Sequence, residues 1–284
     1  MLYYSNKPES LGQLGTLGRQ VVGGEDDGAR IRVKFLRPYC VAYLDQTLLA
    51  HNKGSRSGRR VSSEYPEVNQ YLRQTGFEFV TEGAKTSRAF PQRDIISVVR
   101  FSGKALDVQR VLVSWLDISV KPFLPRLTAK LWKQMVENLW EIAHNALFHG
   151  ESEFGVSACG QFYPQMGYLE VAFYDAGYGI PSRVRGARVI DGTKPDSSCI
   201  EWAVQKGNST NPLPQTGGLG LHLLQEFLKI NGGTIQIVSG DGCFGQCGND
   251  PPSICTLRNS IQGTLVNLRI IYDDSLYRLK GEAL

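Results

Sequence analysis

The chain has 284 residues, 42% hydrophobic and 20% charged, which is typical of globular proteins and long enough for two domains. The net charge of +4 is too small to indicate nucleic-acid binding, and no apolar run is long enough to span a membrane. The N-terminus has neither the charged start nor the apolar core of a secretion signal, so we expect a cytoplasmic protein.

The first hundred residues predict alternating strands and helices. Strands are predicted at residues 31–36 and 58–62, and helices at Pro38–His51 and Pro66–Gln74, each with proline at its first position. The order strand, helix, strand, helix favours a small α/β layer. A connecting helix is predicted at residues 105–116.

Between residues 139 and 150, the sequence LWEIAHNALFHG spaces Glu141, Asn145 and His149 four residues apart. Residues at this spacing share one helix face, so we expect three polar side chains in a row beside an apolar stripe. Carboxylate and amide oxygens are ligands that Mg²⁺ prefers, and a carboxylate can also orient water. The pattern predicts either a site for a hydrated metal and a phosphate or a solvated helix face.

The alternating segment at residues 168–174 predicts a half-buried strand that runs into the turn DAGYGIP. Gly177 and Gly179 leave room for a planar ligand to approach the main chain. Asp175 can accept a hydrogen bond from an exocyclic amine such as that of adenine. The alternative is an ordinary glycine turn capped by aspartate.

Two later segments suit a nucleotide as well. Gly218 and Gly220 lie in the run TGGLGL, before a helix predicted at residues 221–230 that starts with Leu221. The N-terminus of such a helix offers free N–H groups and positive charge to a polyphosphate. Gly263 and Thr264 begin a predicted last strand, where the threonine hydroxyl can meet a base edge or simply belong to an ordinary strand.

In this order, the four segments resemble the GHKL superfamily, which includes DNA gyrase, heat-shock chaperones, histidine kinases and mismatch-repair ATPases. Glu141-x-x-x-Asn145-Ala146-x-x-His149 is similar to the N box of that family, and Asp175-x-Gly177-x-Gly179 to its G1 box. Gly218-Leu219-Gly220-Leu221 is similar to the G2 box, and Gly263-Thr264 to the closing strand. The resemblance covers residues 127–272, and the ending His149-Gly150 is nearest to the anti-sigma-factor kinases.

The resemblance implies that Asn145 ligates Mg²⁺, that Asp175 holds the adenine amine, and that Glu141 polarises the attacking water in members that hydrolyse ATP. It implies contacts with the nucleotide for the other matched residues, which are His149, Gly177, Gly179, Gly218, Gly220, Leu221 and Thr264. Residues 182–215 correspond to the ATP lid, whose basic residues suit a polyphosphate. These are Arg183, Arg185, Arg188, Lys194 and Lys206.

The resemblance also implies an α/β (α+β) fold with a Bergerat-type α/β sandwich at residues 127–284, after a connecting segment at residues 101–126. Residues 1–100 resemble, less specifically, the STAS-like domains of anti-sigma-factor antagonists. The phosphoacceptor of that family is a serine or threonine at the start of a helix, whereas this helix begins Arg37-Pro38-Tyr39-Cys40. We therefore expect this domain to dock rather than to be phosphorylated.

Six cysteines are scattered along the chain, so free thiols are expected. Cys243, Cys247 and Cys255 fall in a segment rich in glycine, asparagine and proline, which is predicted to be an insertion between two strands. A zinc site there needs a fourth ligand, and no histidine is near in sequence.

The expected function is that of a regulatory protein that binds ATP and Mg²⁺, in which the nucleotide closes the lid and changes a protein interface, with slow hydrolysis through Glu141. The alternatives are a protein serine/threonine kinase of the anti-sigma-factor type and a module that holds ATP without turnover. A histidine autokinase is not favoured, because His144, His149 and His222 lie within the expected ATP domain and His51 is not followed by the acidic residue of the dimerisation-helix motif. Both resembled domain types pair with proteins, so we expect a protein partner or a homodimer, with no nucleic acid and no membrane.

Overall fold

The computed structural model describes residues 11–23, 28–55, 58–81, 92–149, 151–210 and 220–282. The helices within these ranges are α1 (Gln13–Val22), α2 (Pro38–His51), α3 (Pro66–Gln74), α4 (Ala105–Trp115), α5 (Ala129–His144), α6 (Gly179–Gly186), α7 (Asp196–Ala203) and α8 (Gly220–Asn231). The strands are β1 (Gly28–Ile31), β2 (Arg60–Ser63), β3 (Ile95–Phe101), β4 (Arg126–Leu127), β5 (Val156–Tyr163), β6 (Tyr168–Asp175), β7 (Thr234–Cys247), β8 (Ser253–Ile271) and β9 (Leu276–Tyr277). In this part of the chain, no helix combines the length and the apolar character needed to cross a membrane.

The centre of the molecule is a five-stranded antiparallel sheet in the order β3-β5-β6-β8-β7. Successive side chains of β6 point to opposite faces, so Phe173 enters a core shared with α5 and α8, whereas Ala172 and Tyr174 enter a core shared with α1 and α2. We call the α5 and α8 side the front face and the α1 and α2 side the back face. Helices cover both faces, which confirms the expected α/β class.

Two ion pairs with buried carboxylates fasten α2 and its preceding residue to the back face. Arg37 donates to Glu170 of β6 at 2.6 Å, and neither side chain is more than 7% exposed. Arg100 of β3 donates through two nitrogens to the buried carboxylate of Asp45 at 2.6 and 2.7 Å. Breaking a buried pair leaves an uncompensated charge, so these contacts hold α2 against the sheet.

The N-terminal elements begin with α1, which was not predicted from the sequence, and then follow the predicted order of strand, helix, strand, helix. α2 and α3 have the predicted bounds, because proline fixes the first turn of each helix. The first strand lies at Gly28–Ile31 rather than at residues 31–36, and it pairs in parallel with β2. β3 lies in the segment assigned to the N-terminal domain, yet it pairs with β5 of the central sheet.

The end of the chain differs from the expectation at the hairpin of β7 and β8. β8 begins at Ser253, so Gly263 and Thr264 lie in the middle of this strand and not at its start. The segment predicted as an insertion continues the two strands, and Cys243 faces Cys255 across them. The structure joins these two cysteines in a disulfide, so the expectation of free thiols is wrong for this pair.

Candidate functional site

A cavity of about 630 Å³ opens on the front face of the sheet. Its walls come from α5, the end of β6, α6, α7, the residues that follow α7, α8 and β8. Six of the candidate catalytic and nucleotide-contacting residues line this one cavity, namely Glu141, Asn145, Asp175, Gly179, Leu221 and Thr264. Segments that are far apart in the chain therefore meet at one site.

The first wall is α5, which begins at the N-cap Thr128, whose hydroxyl accepts the N–H of Leu131 at 3.3 Å. Glu141 and Asn145 line the cavity one helical turn apart, as their spacing predicts. The α-helix ends at His144, and a π-helical segment follows at Asn145–His149. Its i→i+5 hydrogen bonds change the helical repeat, so the prediction of one continuous α-helical face through His149 is wrong. The side chain of His149 lies outside the described residues.

Three further polar residues of α5 line the cavity and were not singled out in the sequence. They are Gln134, Glu137 and Asn138, and the carboxamide oxygen of Asn138 accepts from Gln134 at 3.3 Å. Positions 134, 138, 141 and 145 follow the helical repeat, so the same periodicity extends the polar stripe toward the N-terminus. This signal was present in the sequence.

Asp175 ends β6 at the bottom of the cavity and is only 5% exposed. Burial raises the pKa of this carboxyl from 3.8 to about 7, while the backbone N–H groups of Gly177 and Thr264 act in the opposite direction. The Gly177 N–H donates to Asp175 Oδ1 at 2.9 Å. Gly177 therefore shapes the turn around Asp175, although it does not line the cavity itself.

The turn after Asp175 fits closely against β8 because two glycines lack a side chain. Gly179 has φ of +77°, and a Cβ there would lie 2.7 Å from Ser239 Oγ and 2.8 Å from the Gly263 carbonyl oxygen. Gly263 has φ of +74°, and a Cβ there would clash with the Asp175 carbonyl oxygen. Both positions need glycine for conformation and for space.

The segment compared with an ATP lid contains two docked helices. Arg185 donates to Asp196 at 2.6 Å, and the other carboxylate oxygen of Asp196 accepts the N–H of Asp241 of β7 at 3.0 Å. This ties α6 and α7 to the sheet, so the part of the segment that could close over a ligand is shorter than residues 182–215. Among the basic residues expected there, Arg183 lines the cavity and pairs with Glu151 at 3.2 Å.

The glycine run before α8 is described only from Gly220, the first residue of that helix. Leu221 lines the cavity, whereas Gly218 lies outside the described residues. Two tryptophans that the sequence did not single out, Trp140 of α5 and Trp202 of α7, add aromatic area to the walls. They look like ordinary core aromatics in the sequence, so only the tertiary structure reveals them.

No protein-family model matches the chain, and no curated protein matches it in sequence. The function is therefore inferred from the cavity and its chemistry.

Proposed function

We propose that the cavity binds ATP with Mg²⁺ and that the protein is a nucleotide-dependent switch with slow ATP hydrolysis. The observation that carries this proposal is the meeting of Glu141, Asn145, Asp175, Gly179 and Thr264 around one cavity. Its volume of about 630 Å³ lies in the range of about 300–1,000 Å³ that small-molecule and cofactor sites occupy.

The Asp175 end of the cavity suits the base. A carboxylate accepts hydrogen bonds, so Asp175 matches the exocyclic amine of adenine. Gly179 keeps side-chain atoms away from the turn, and Phe173, Val266 and Ile142 supply apolar contacts for a flat ring. A buried acceptor among apolar walls selects a ligand that brings its own donor.

The α5 end suits the phosphates and a cation. Glu137, Asn138, Glu141 and Asn145 line one wall, and carboxylate and amide oxygens are the ligand type that Mg²⁺ takes in proteins. Mg²⁺ needs only one or two protein ligands beside phosphate oxygens and water, so Asn145 would hold the ion and Glu141 would orient a water molecule. Bound Mg²⁺ supplies positive charge to the phosphates, and Arg183 and the N-terminus of α8 add to it.

A switch also needs a route from the cavity to a second surface, and β6 offers one. Asp175 lines the cavity, and the preceding residue Tyr174 packs on Tyr43 of α2 with ring centroids 5.0 Å apart. Helix α2 thus contacts the strand that carries the proposed base-binding residue. The proposed ligand is abundant in the cytoplasm, which is where we expect the protein to act.

Calorimetry with ATP and Mg²⁺ tests the proposed binding. We expect saturable binding by the unmodified protein and none by Asn145→Ala. The absence of ATP binding by the unmodified, folded protein would overturn the proposal.

Radiolabelled ATP tests the activity. We expect slow release of labelled phosphate that Glu141→Ala abolishes without loss of binding. Glu226→Ala, which removes a carboxylate of α8 that pairs with Lys229 and does not line the cavity, should retain it. Label on an added protein would instead support a serine/threonine kinase, and binding with neither result would support a non-catalytic module.

A further inference from the structure

Behind the base end of the cavity lies a fully buried hydroxyl, that of Ser239 on β7. Ser239 Oγ accepts the N–H of Ile180 at 2.9 Å and donates to the Gly263 carbonyl oxygen at 2.8 Å. It also lies 3.0 Å from the hydroxyl oxygen of Thr264, which lines the cavity. One side chain thus joins β7, β8 and the turn after Asp175.

We infer that Ser239 is a positioning residue that orients the Thr264 hydroxyl and thereby makes the cavity prefer a 6-aminopurine over a 6-oxopurine. This inference rests on the proposed function, because it concerns how the same site chooses its base.

The direction of the Thr264 hydroxyl follows from counting protons. A serine hydroxyl has one hydrogen to donate and two lone pairs that accept. The Gly263 carbonyl can only accept, so it takes the single Ser239 hydrogen. Thr264 must then be the donor in the hydrogen bond between the two hydroxyls. The lone pairs of Thr264 therefore remain as acceptors for the cavity.

The neighbouring side chain, that of Asp175, is also a hydrogen-bond acceptor. Asp175 is the register partner of Thr264 in the sheet, and its ionised carboxylate only accepts hydrogen bonds. Two acceptors side by side suit the amino group at position 6 of adenine. A 6-oxo group would bring a third acceptor in place of the amine. The single N1–H donor of that base cannot satisfy all three acceptors, so buried lone pairs remain without a donor, which is costly.

The test compares ATP with ITP, which carries a 6-oxo base, by calorimetry with Mg²⁺ at pH 8. Ser239→Ala frees the Thr264 hydroxyl to turn and donate, so we expect the preference for ATP over ITP to fall roughly tenfold. In a Thr264→Val background, the same substitution should leave the preference unchanged, because the hydroxyl that Ser239 orients is gone.

Ser157→Ala is the matched control, because Ser157 is also a fully buried hydroxyl, on β5, and donates to Asp45 at 2.6 Å. It should lower stability and leave the base preference intact. If Ser239→Ala does not fold, Ser239→Cys is the substitute. Its thiol is only a weak donor and a weak acceptor, so it should hold the Thr264 hydroxyl less firmly and still reduce the preference for ATP.

This inference alone would be overturned if the unmodified protein binds ATP and the folded Ser239 variant shows the same preference for ATP over ITP. An unmodified protein that binds neither nucleotide would overturn the proposed function and this inference with it.

Discussion

Replacing Asp175 with asparagine should stabilise the ligand-free protein at pH 8. The pKa of this buried carboxyl is raised from 3.8 to about 7. Because each pKa unit corresponds to about 1.4 kcal/mol, burial of the ionised form costs about 4 kcal/mol. Asparagine carries no charge, but an NH₂ group replaces one carboxylate oxygen. That group cannot accept a hydrogen bond from the backbone, a loss of about 1–2 kcal/mol. We expect a net gain of about 2 kcal/mol in the free energy of unfolding.

The gain should depend on pH in a defined direction. Below about pH 4 the carboxyl is protonated in both the folded and the unfolded protein, and it contributes no penalty. As the pH rises toward 7, the unfolded chain releases its proton first, so the folded protein loses stability. Above about pH 7 the whole penalty remains, and there the free energy of unfolding of the variant should exceed that of the unmodified protein by the largest amount.

Urea denaturation at pH 5 and pH 8 measures both free energies of unfolding. Asp45→Asn is the control, because Asp45 is equally buried but pairs with Arg100, so that its replacement should destabilise the protein at both pH values. An Asp175→Asn variant that is less stable than the unmodified protein at pH 8, or whose advantage in stability does not grow from pH 5 to pH 8, would contradict this expectation.

Three further outcomes are expected. ATP affinity should fall several-fold from pH 8 to pH 6, because the raised pKa of Asp175 lets the carboxyl protonate in this window and weakens it as an acceptor; a flat calorimetric profile would contradict this. Gly263→Ala should lower the free energy of unfolding in urea by about 2–4 kcal/mol, since its Cβ would clash with the Asp175 carbonyl; a stability within 0.5 kcal/mol of the original, about the effect of an ordinary surface change, would argue against that contact. Arg37→Met should cost about 3 kcal/mol because it leaves Glu170 buried without its closest cation, and a neutral result in the same assay would show that α2 is held otherwise.

The local elements were largely predictable from sequence. Proline at the first helical position fixed the starts of α2 and α3, and hydrophobic periodicity located α4, β6 and α8 to within a few residues. Glu141 and Asn145 share a cavity wall because α-helical spacing alone puts them on one face.

Features that depend on distant partners were not predictable. β3 pairs with β5 across more than fifty residues, and periodicity within a window holds no information about that partner. The long hairpin of β7 and β8 contains glycine, asparagine and proline, which normally mark loops, yet cross-strand pairing extends it past Cys243. The role of Ser239 depends on three neighbours from separate elements, so nothing in its local sequence marks it.

A crystal structure with Mg²⁺ and a non-hydrolysable ATP analogue tests the central claim most directly. We expect the adenine amine within hydrogen-bonding distance of Asp175, and the cation beside Asn145 with the phosphates near the N-terminus of α8. A nucleotide bound elsewhere on the protein, or an empty cavity at saturating analogue, would contradict the account.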